Sequence, residues 1–205
     1  MLHEFIQKQQ QPLLIVISGP SGVGKDTILQ CMKGLQLPLH FVVTATSRPK
    51  REGEIEGVDY FFVSPEEFLG MIDRDELLEH AIVYDEYKGI PKQQVQDAFA
   101  SGQDVIMRID VQGAETIREL YPEALLIFLS TQTEEELIAR LKARRTESEE
   151  KLQLRIDTAR EELHKVDLFD YYVVNADGQL DATVHAIVAI IESEHLRTNQ
   201  RQVCL

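Results

Sequence analysis

The sequence predicts an α/β fold: a parallel β-sheet flanked by helices, with a subdomain inserted into it. Three observations carry this reading. Short apolar runs alternate with helical stretches along most of the chain. The first apolar run, Leu13-Leu14-Ile15-Val16-Ile17, leads into Ser18-Gly19-Pro20-Ser21-Gly22-Val23-Gly24-Lys25-Asp26-Thr27, a glycine-rich turn ending in a lysine. Finally, the alternation breaks over residues 45–90, where a polar, charged loop comes before the next apolar run.

Taken in order, residues 13–17 form a short buried strand, and Lys25 to Gly34 a helix whose apolar positions are Ile28, Leu29, Cys31 and Met32. His40 to Thr44 reads as a second strand. Within the insertion, Tyr60-Phe61-Phe62-Val63 is apolar, and short helical pieces are expected at 65–73 and 75–80. Pro91 to Ser101 resumes as a helix with proline at its start, where the missing N–H costs little. Asp104 to Ile109 is a strand that delivers Asp110 to its carboxyl end, the side of a parallel sheet where ligand chemistry collects. A helix at 111–120, a strand at Ala124–Phe128 and a helix at 133–143 follow. The charged segment Arg144–Glu150 leads into a long helix at about 150–165, a strand at Tyr171–Val174 and a terminal helix from about 179 to 197. Residues 1–12 read as a polar extension, 13–197 as one domain and 198–205 as a tail.

Composition narrows the function. A chain of 205 residues buries a full core. No apolar run approaches the roughly 20 residues a membrane span needs, and the N-terminus lacks the pattern of a secretory signal. Two cysteines, Cys31 and Cys204, are too few for a disulfide framework and are not spaced as metal ligands. A cytoplasmic location, or a reducing organelle interior, fits this usage. The formal net charge of −14 argues against non-specific nucleic-acid binding, so no nucleic-acid partner is expected, and the lack of a long apolar run leads to the expectation of no membrane partner. Yet seven of the 21 Lys and Arg residues fall within 140–160, and Arg48, Lys50 and Arg51 form a second group. Local cationic clusters on an acidic chain suit small polyanions.

The glycine-rich turn reads as a phosphate cradle. Gly19, Gly22 and Gly24 let the backbone visit φ > 0 and bring N–H groups, those of Ser21 and Val23 among them, close to an anion. Lys25 then reaches the terminal phosphates of a nucleoside triphosphate. The spacing Gly19-x4-Gly24-Lys25 fits the P-loop pattern. The next position calls for Ser or Thr to hold Mg²⁺; here it is Asp26, with Thr27 one step on.

A second motif narrows the class. Thr44-Ala45-Thr46-Ser47-Arg48-Pro49-Lys50-Arg51-Glu52-Gly53-Glu54, followed by Gly57-Val58-Asp59-Tyr60-Phe61-Phe62, closely resembles the nucleotide-acceptor segment of guanylate kinases. Further anchors are Leu78-Glu79-His80-Ala81, Asp110-Val111-Gln112-Gly113, Arg140-Leu141-x-x-Arg144 and Val173-Val174-Asn175, so the resemblance runs from Leu13 to Val184. It implies a P-loop kinase core (13–44 and 91–197), a GMP-binding subdomain at 45–90 and a helical lid at about 140–160. By position, Arg48, Arg51 and Tyr60 would hold the acceptor phosphate. Glu79 would accept hydrogen bonds from the guanine N1–H and amino group, with the Thr44 hydroxyl near the base. Asp110 would sit close to the metal and acceptor, Arg140, Arg144 and Arg155 would contact phosphate, and Asn175 would lie near the adenine. The implied reaction moves the γ-phosphoryl of ATP to GMP or dGMP with Mg²⁺ present, Lys25, Arg48, Arg140, Arg144 and Asp110 being its catalytic residues.

Three departures from the family pattern stand out. Asp26 replaces a hydroxyl or glycine; it would bind Mg²⁺ through water or repel the phosphates slightly, with Thr27 as the alternative hydroxyl donor. Tyr87-Lys88-Gly89-Ile90-Pro91 loses a phenol at Lys88 and a hydroxyl at Ile90, so Lys88 would hold the acceptor phosphate by charge. Arg108 takes the place of the first aspartate of an Asp-x-Asp pair and is expected to contact phosphate, or else to pair with a neighbouring carboxylate. Two other readings compete with the kinase one. One is a related phosphotransferase acting on ribose 1,5-bisphosphate; the other is a non-catalytic interaction domain, against which the intact P-loop speaks.

Overall fold

The computed structural model describes residues 11–83, 85–143 and 149–205. In chain order it contains β1 (Leu14–Ser18), α1 (Lys25–Gly34), β2 (Leu39–Phe41), β3 (Thr44–Thr46), β4 (Tyr60–Phe62), α2 (Pro65–Asp73), β5 (Leu77–Val83), β6 (Glu86–Pro91) and α3 (Lys92–Ala100). Then follow β7 (Asp104–Arg108), α4 (Val111–Leu120), β8 (Leu125–Ser130), α5 (Glu134–Ala143), α6 (Glu149–Leu163), a 3₁₀ turn (Val166–Leu168), β9 (Tyr171–Val174) and α7 (Leu180–His195).

Five strands form one parallel sheet in the order β2-β7-β1-β8-β9. Its registers include Ile15 opposite both Ile106 and Leu125, and Ile127 opposite Tyr171. β1 and β8 are buried along their whole length, because helices cover both faces and alternation is lost. One core layer joins β1, α1, α5, α6 and α7 through Ile28, Met32, Leu137, Ile156 and Ile187; the other packs α3 and α4 on the opposite face through Val95, Ala114 and Ile117. Both layers meet at β1, which carries the phosphate loop on its carboxyl end.

The insertion is a second, four-stranded sheet in the order β4-β3-β6-β5. β3 runs parallel to β4 and antiparallel to β6, and β5 and β6 form a hairpin. α2 covers it with Phe68, which is fully buried and stacks on Tyr87 at 5.2 Å between ring centroids. The Ser64 hydroxyl starts α2 by accepting the Glu67 N–H at 3.1 Å, with proline at the next position.

Two sequence-based expectations change here. The strand expected over 40–44 ends at Phe41, and Thr44 belongs to the second sheet. At the crossover, the Gln94 side-chain amide replaces a strand neighbour: its Oε1 accepts the Val43 N–H at 3.0 Å and its Nε2 donates to the Val43 carbonyl at 2.9 Å. The helical piece expected at 75–80 is instead β5. Leu77, Leu78 and Glu79 are consecutively buried because a register irregularity between Leu77 and Glu79 breaks the period of two. Leu77 then packs into the core of the second sheet and Leu78 into that of the first. Strand pairing overrides the helix preference of this leucine- and glutamate-rich stretch.

The segment after α7 is bound to the core. Arg201 is buried, donates to Glu194 at 2.7 Å and to the Ala124 carbonyl at 3.2 Å, and sits 3.5 Å from Asp170. Among the described residues no helix is long and apolar enough to cross a membrane.

Candidate active site

A cleft of about 950 Å³, open to solvent, separates the carboxyl end of β1 from the second sheet. Its donor wall is the loop Gly19 to Asp26. Gly24 caps α1 at φ 95°, and a Cβ there would lie 2.6 Å from the Asn175 amide nitrogen. The left-handed backbone favours glycine here, and a side chain would also displace the Asn175 amide. Lys25 turns back on its own loop, donating to the Gly19 and Pro20 carbonyls, the latter at 3.1 Å. Burial lowers its pKa, opposed by Glu162, Asp26 and Asp110.

The acceptor wall comes from β3 to β6. Arg48 is 5% exposed and held in a two-pronged pair with Glu54, whose carboxylate also accepts the Arg51 backbone N–H at 2.8 Å. Glu54 thus gathers both arginines of the motif. The Arg48 guanidinium lies 4.6 Å from the Tyr60 ring centre, within cation–π range. Lys88 projects from β6 into the same cleft, its pKa lowered by burial.

Thr44 and Glu79 line the cleft from β3 and β5. The Thr44 hydroxyl and Glu79 Oε2 are buried and make no hydrogen bond to another protein group. Burial, with Asp110 adding to it, raises the Glu79 pKa to about 8. A Cβ on Gly113 would stand 2.8 Å from Glu79 Oε2, so the bare backbone at position 113 leaves room for the carboxylate in this place. Asp110 sits at the junction of β7 and α4, where its carboxylate caps α4 by accepting the Gly113 N–H at 3.0 Å.

The cleft brings together Gly19, Ser21, Gly22, Val23, Gly24, Lys25, Asp26, Thr44, Arg48, Arg51, Tyr60, Glu79, Lys88, Asp110 and Arg155 from the residues singled out in the sequence. Arg144 lies outside the described residues. Thr27, Arg140 and Asn175 do not line the cleft. Thr27 is exposed on α1. Arg140 and Asn175 brace the loop from behind: both donate to the Val23 carbonyl, at 3.2 and 2.7 Å, and Arg140 also donates to the Asn175 carbonyl and to Glu136. Ile90 is fully buried in the core beside Leu78 and Val95.

Sequence reasoning passed over Glu162. It reaches the cleft from α6 beside the Ser21 amide and Lys25, and burial, with Asp110 opposing its charge, raises its pKa to about 7. Its helix reads as a solvated charged stretch, Arg-Glu-Glu-Leu, so only the packing of α6 reveals it. Glu54 was visible within the motif, but its grip on Arg48 was not.

A lysine-bearing glycine loop on a parallel sheet, faced by an arginine-lined wall on a second sheet, defines the P-loop phosphotransferase class. The guanylate kinase family model matches residues 11–194. The chain belongs to the guanylate kinase family. It is 52% identical over 194 residues to a relative named guanylate kinase 2, chloroplastic/mitochondrial, of Oryza sativa subsp. japonica, covering 94% of this chain and 68% of that one. A guanylate kinase of Caldanaerobacter subterraneus subsp. tengcongensis is 44% identical, with 95% and 93% covered. The crystal structure of guanylate kinase from Anaplasma phagocytophilum superposes with a TM-score of 0.75 at 28% identity, covering 92% of this chain and 89% of that one.

Proposed function

We propose that this chain transfers the γ-phosphoryl group of ATP to GMP, and to dGMP, giving ADP and GDP or dGDP. Family membership supports the reaction class. The observation that carries the acceptor is the pair of buried, unpartnered groups on the acceptor wall, the Glu79 carboxylate oxygen and the Thr44 hydroxyl. Buried polar groups without partners are costly, and a ligand that satisfies them gains affinity that one lacking the matching groups does not. Guanine offers an N1–H and an amino group to a carboxylate; adenine has no such pair. Ribose 1,5-bisphosphate has no base and so lacks the paired N–H donors of guanine, and the intact P-loop speaks against a purely interaction-based role.

The acceptor atom is an already ionised phosphate oxygen, so the reaction needs no general base. That oxygen forms a bond to the γ-phosphorus as the bond to the β–γ bridging oxygen breaks, and the electron pair leaves with ADP. The barrier is the approach of two polyanions, and positioned cations lower it. Lys25 grips the β- and γ-phosphates; Arg48, Arg51, Tyr60 and Lys88 hold the acceptor. Arg155 faces the transferring group from α6, while Arg140 and Asn175 keep the loop in shape. Arg144, outside the described residues, keeps only the phosphate-contacting role that the family resemblance implies for it.

Mg²⁺ characteristically uses one or two carboxylates together with substrate phosphates and water. Asp110 lines the cleft and would hold it through water, whereas Asp26, which also lines it, is paired with Arg108. The chemistry Mg²⁺ would supply when bound is neutralisation of charge on the phosphates of the donor.

A coupled assay with ATP and a panel of GMP, dGMP, AMP, UMP, CMP and ribose 1,5-bisphosphate tests the reading. Turnover is expected with GMP and dGMP alone. In a folded Lys25→Ala protein, kcat for GMP should fall by roughly 10²-fold or more. Wild-type-like turnover in that variant would remove Lys25 from the mechanism.

A further inference from the structure

Asp26 and Arg108, two departures from the family pattern, meet each other. The Arg108 guanidinium donates to the Asp26 carboxylate across 82 residues of chain. It is also 4.6 Å from the centre of the Tyr60 ring, and its second nitrogen is 3.4 Å from the Asp59 carbonyl. Only 14% of the Arg108 side chain is exposed, against 57% of Asp26. One side chain at the end of β7 therefore touches the residue after the donor-loop lysine, the acceptor-subdomain backbone and the ring that also carries Arg48.

We propose that Arg108 is a positioning residue that registers the acceptor subdomain against the donor loop, with Asp26 as its anchor. The two departures act as one exchange: the carboxylate has moved from β7 to α1, and a guanidinium now spans the gap. The inference rests on the reading of Tyr60 as part of the acceptor-phosphate site. A planar guanidinium bonds to a carboxylate at its edge while stacking on a ring with its face, which an ammonium does not do. Held this way, Arg108 fixes the plane of Tyr60 from the core side, while Arg48 contacts the same ring from within the subdomain. Its charge also acts on Lys88 across the cleft, so Asp26 offsets a cation that would otherwise crowd that lysine.

The test is a double-mutant cycle read by equilibrium GMP binding without ATP or Mg²⁺, together with the KM and kcat of GMP phosphorylation. Arg108→Ala should weaken GMP binding and raise its KM by about tenfold, the change that loss of about 1.4 kcal/mol produces, while moving the KM for ATP less than about threefold. Asp26→Ser should weaken GMP binding in the same direction, and the double variant should be no worse than Arg108→Ala. Arg108→Lys should recover only part of the loss, because it keeps the charge and gives up the stacked plane. Arg108→Asp places two carboxylates together and should lose more than Arg108→Ala; adding Asp26→Ser, which recreates the family arrangement, should restore it. Additive single effects, full activity with Lys at 108, or no rescue of Arg108→Asp in a protein that still melts cooperatively would each overturn the proposal. If the wild type phosphorylates no guanine nucleotide, the functional reading fails; if it does so and the cycle is additive, only this inference fails.

Discussion

At the scale of single residues, the cleft separates side chains already satisfied from those awaiting a ligand. Arg48 has Glu54, and Lys25 has its loop carbonyls, whereas Glu79 Oε2 and the Thr44 hydroxyl have nothing. A Glu79 pKa raised to about 8 means that the free protein holds this carboxyl largely neutral at pH 7. Guanine needs it ionised, since both partner groups on the base are donors. GMP binding should therefore release a proton, and the Kd should weaken as pH falls below about 8, by up to tenfold per unit. Between pH 7 and 8 the GMP phosphate, with its second pKa near 6, contributes little to this release. Calorimetry in buffers of different ionisation enthalpy should show the proton, and Glu79→Gln should bind weakly with a flat profile over that range. An equal slope in both proteins would remove Glu79 from base recognition. The sequence made Lys25, Arg48, Tyr60 and Glu79 legible because each sits in a contiguous motif. The Arg108–Asp26 partnership and Glu162 were not legible as contacts, because they depend on β7 and α6 reaching the loop from far along the chain.

At the scale of elements, the parallel sheet was readable from apolar runs buried on both faces, and the second sheet was not. β3 and β4 are three residues each, too short to show a period, and the irregularity in β5 hides its alternation behind helix-forming residues. The crossover between the sheets depends on one amide. With both Gln94 bonds to Val43 removed in Gln94→Ala, the Val43 N–H and carbonyl lose partners in a part-buried setting, a cost of about 1–3 kcal/mol. Because Val43 joins the core to the acceptor subdomain, hydrogen exchange at 42–46 and 87–91 should rise more than at β1 or β8. KM for GMP should rise while KM for ATP stays nearer its starting value. Uniform exchange across both sheets would mean that Gln94 supports the whole fold rather than this junction.

At the scale of the whole molecule, a chain with a formal net charge of −14 gathers Lys25, Arg48, Arg51, Lys88, Arg108 and Arg155 around one cleft and buries two carboxylates among them. That arrangement makes stability depend on pH and ligand together. Glu79 and Glu162 have folded pKa values of about 8 and about 7, both above the ordinary value of 4.5, chiefly through burial. Between these limits the folded state binds more protons than the unfolded chain, so the slope of unfolding free energy with pH is negative. Their contribution is complete below about 4.5 and is lost as pH rises through about 7 and 8. Lys25 and Lys88 oppose the loss at Glu162, and Asp110 adds to it at both sites. In melting curves from pH 6 to 8.5, the ligand-free wild type should lose Tm relative to a Glu79→Gln, Glu162→Gln double variant, which cancels the pH response of the rest of the surface. Each kcal/mol of difference should appear as about 2–4 °C in a protein of this size. Saturating GMP should shrink the difference, because it uses the ionised Glu79 that the empty cleft disfavours. Parallel curves for the two proteins without ligand would show that neither carboxyl is held neutral in the native cleft, and that its cations stabilise both charges fully before any nucleotide arrives.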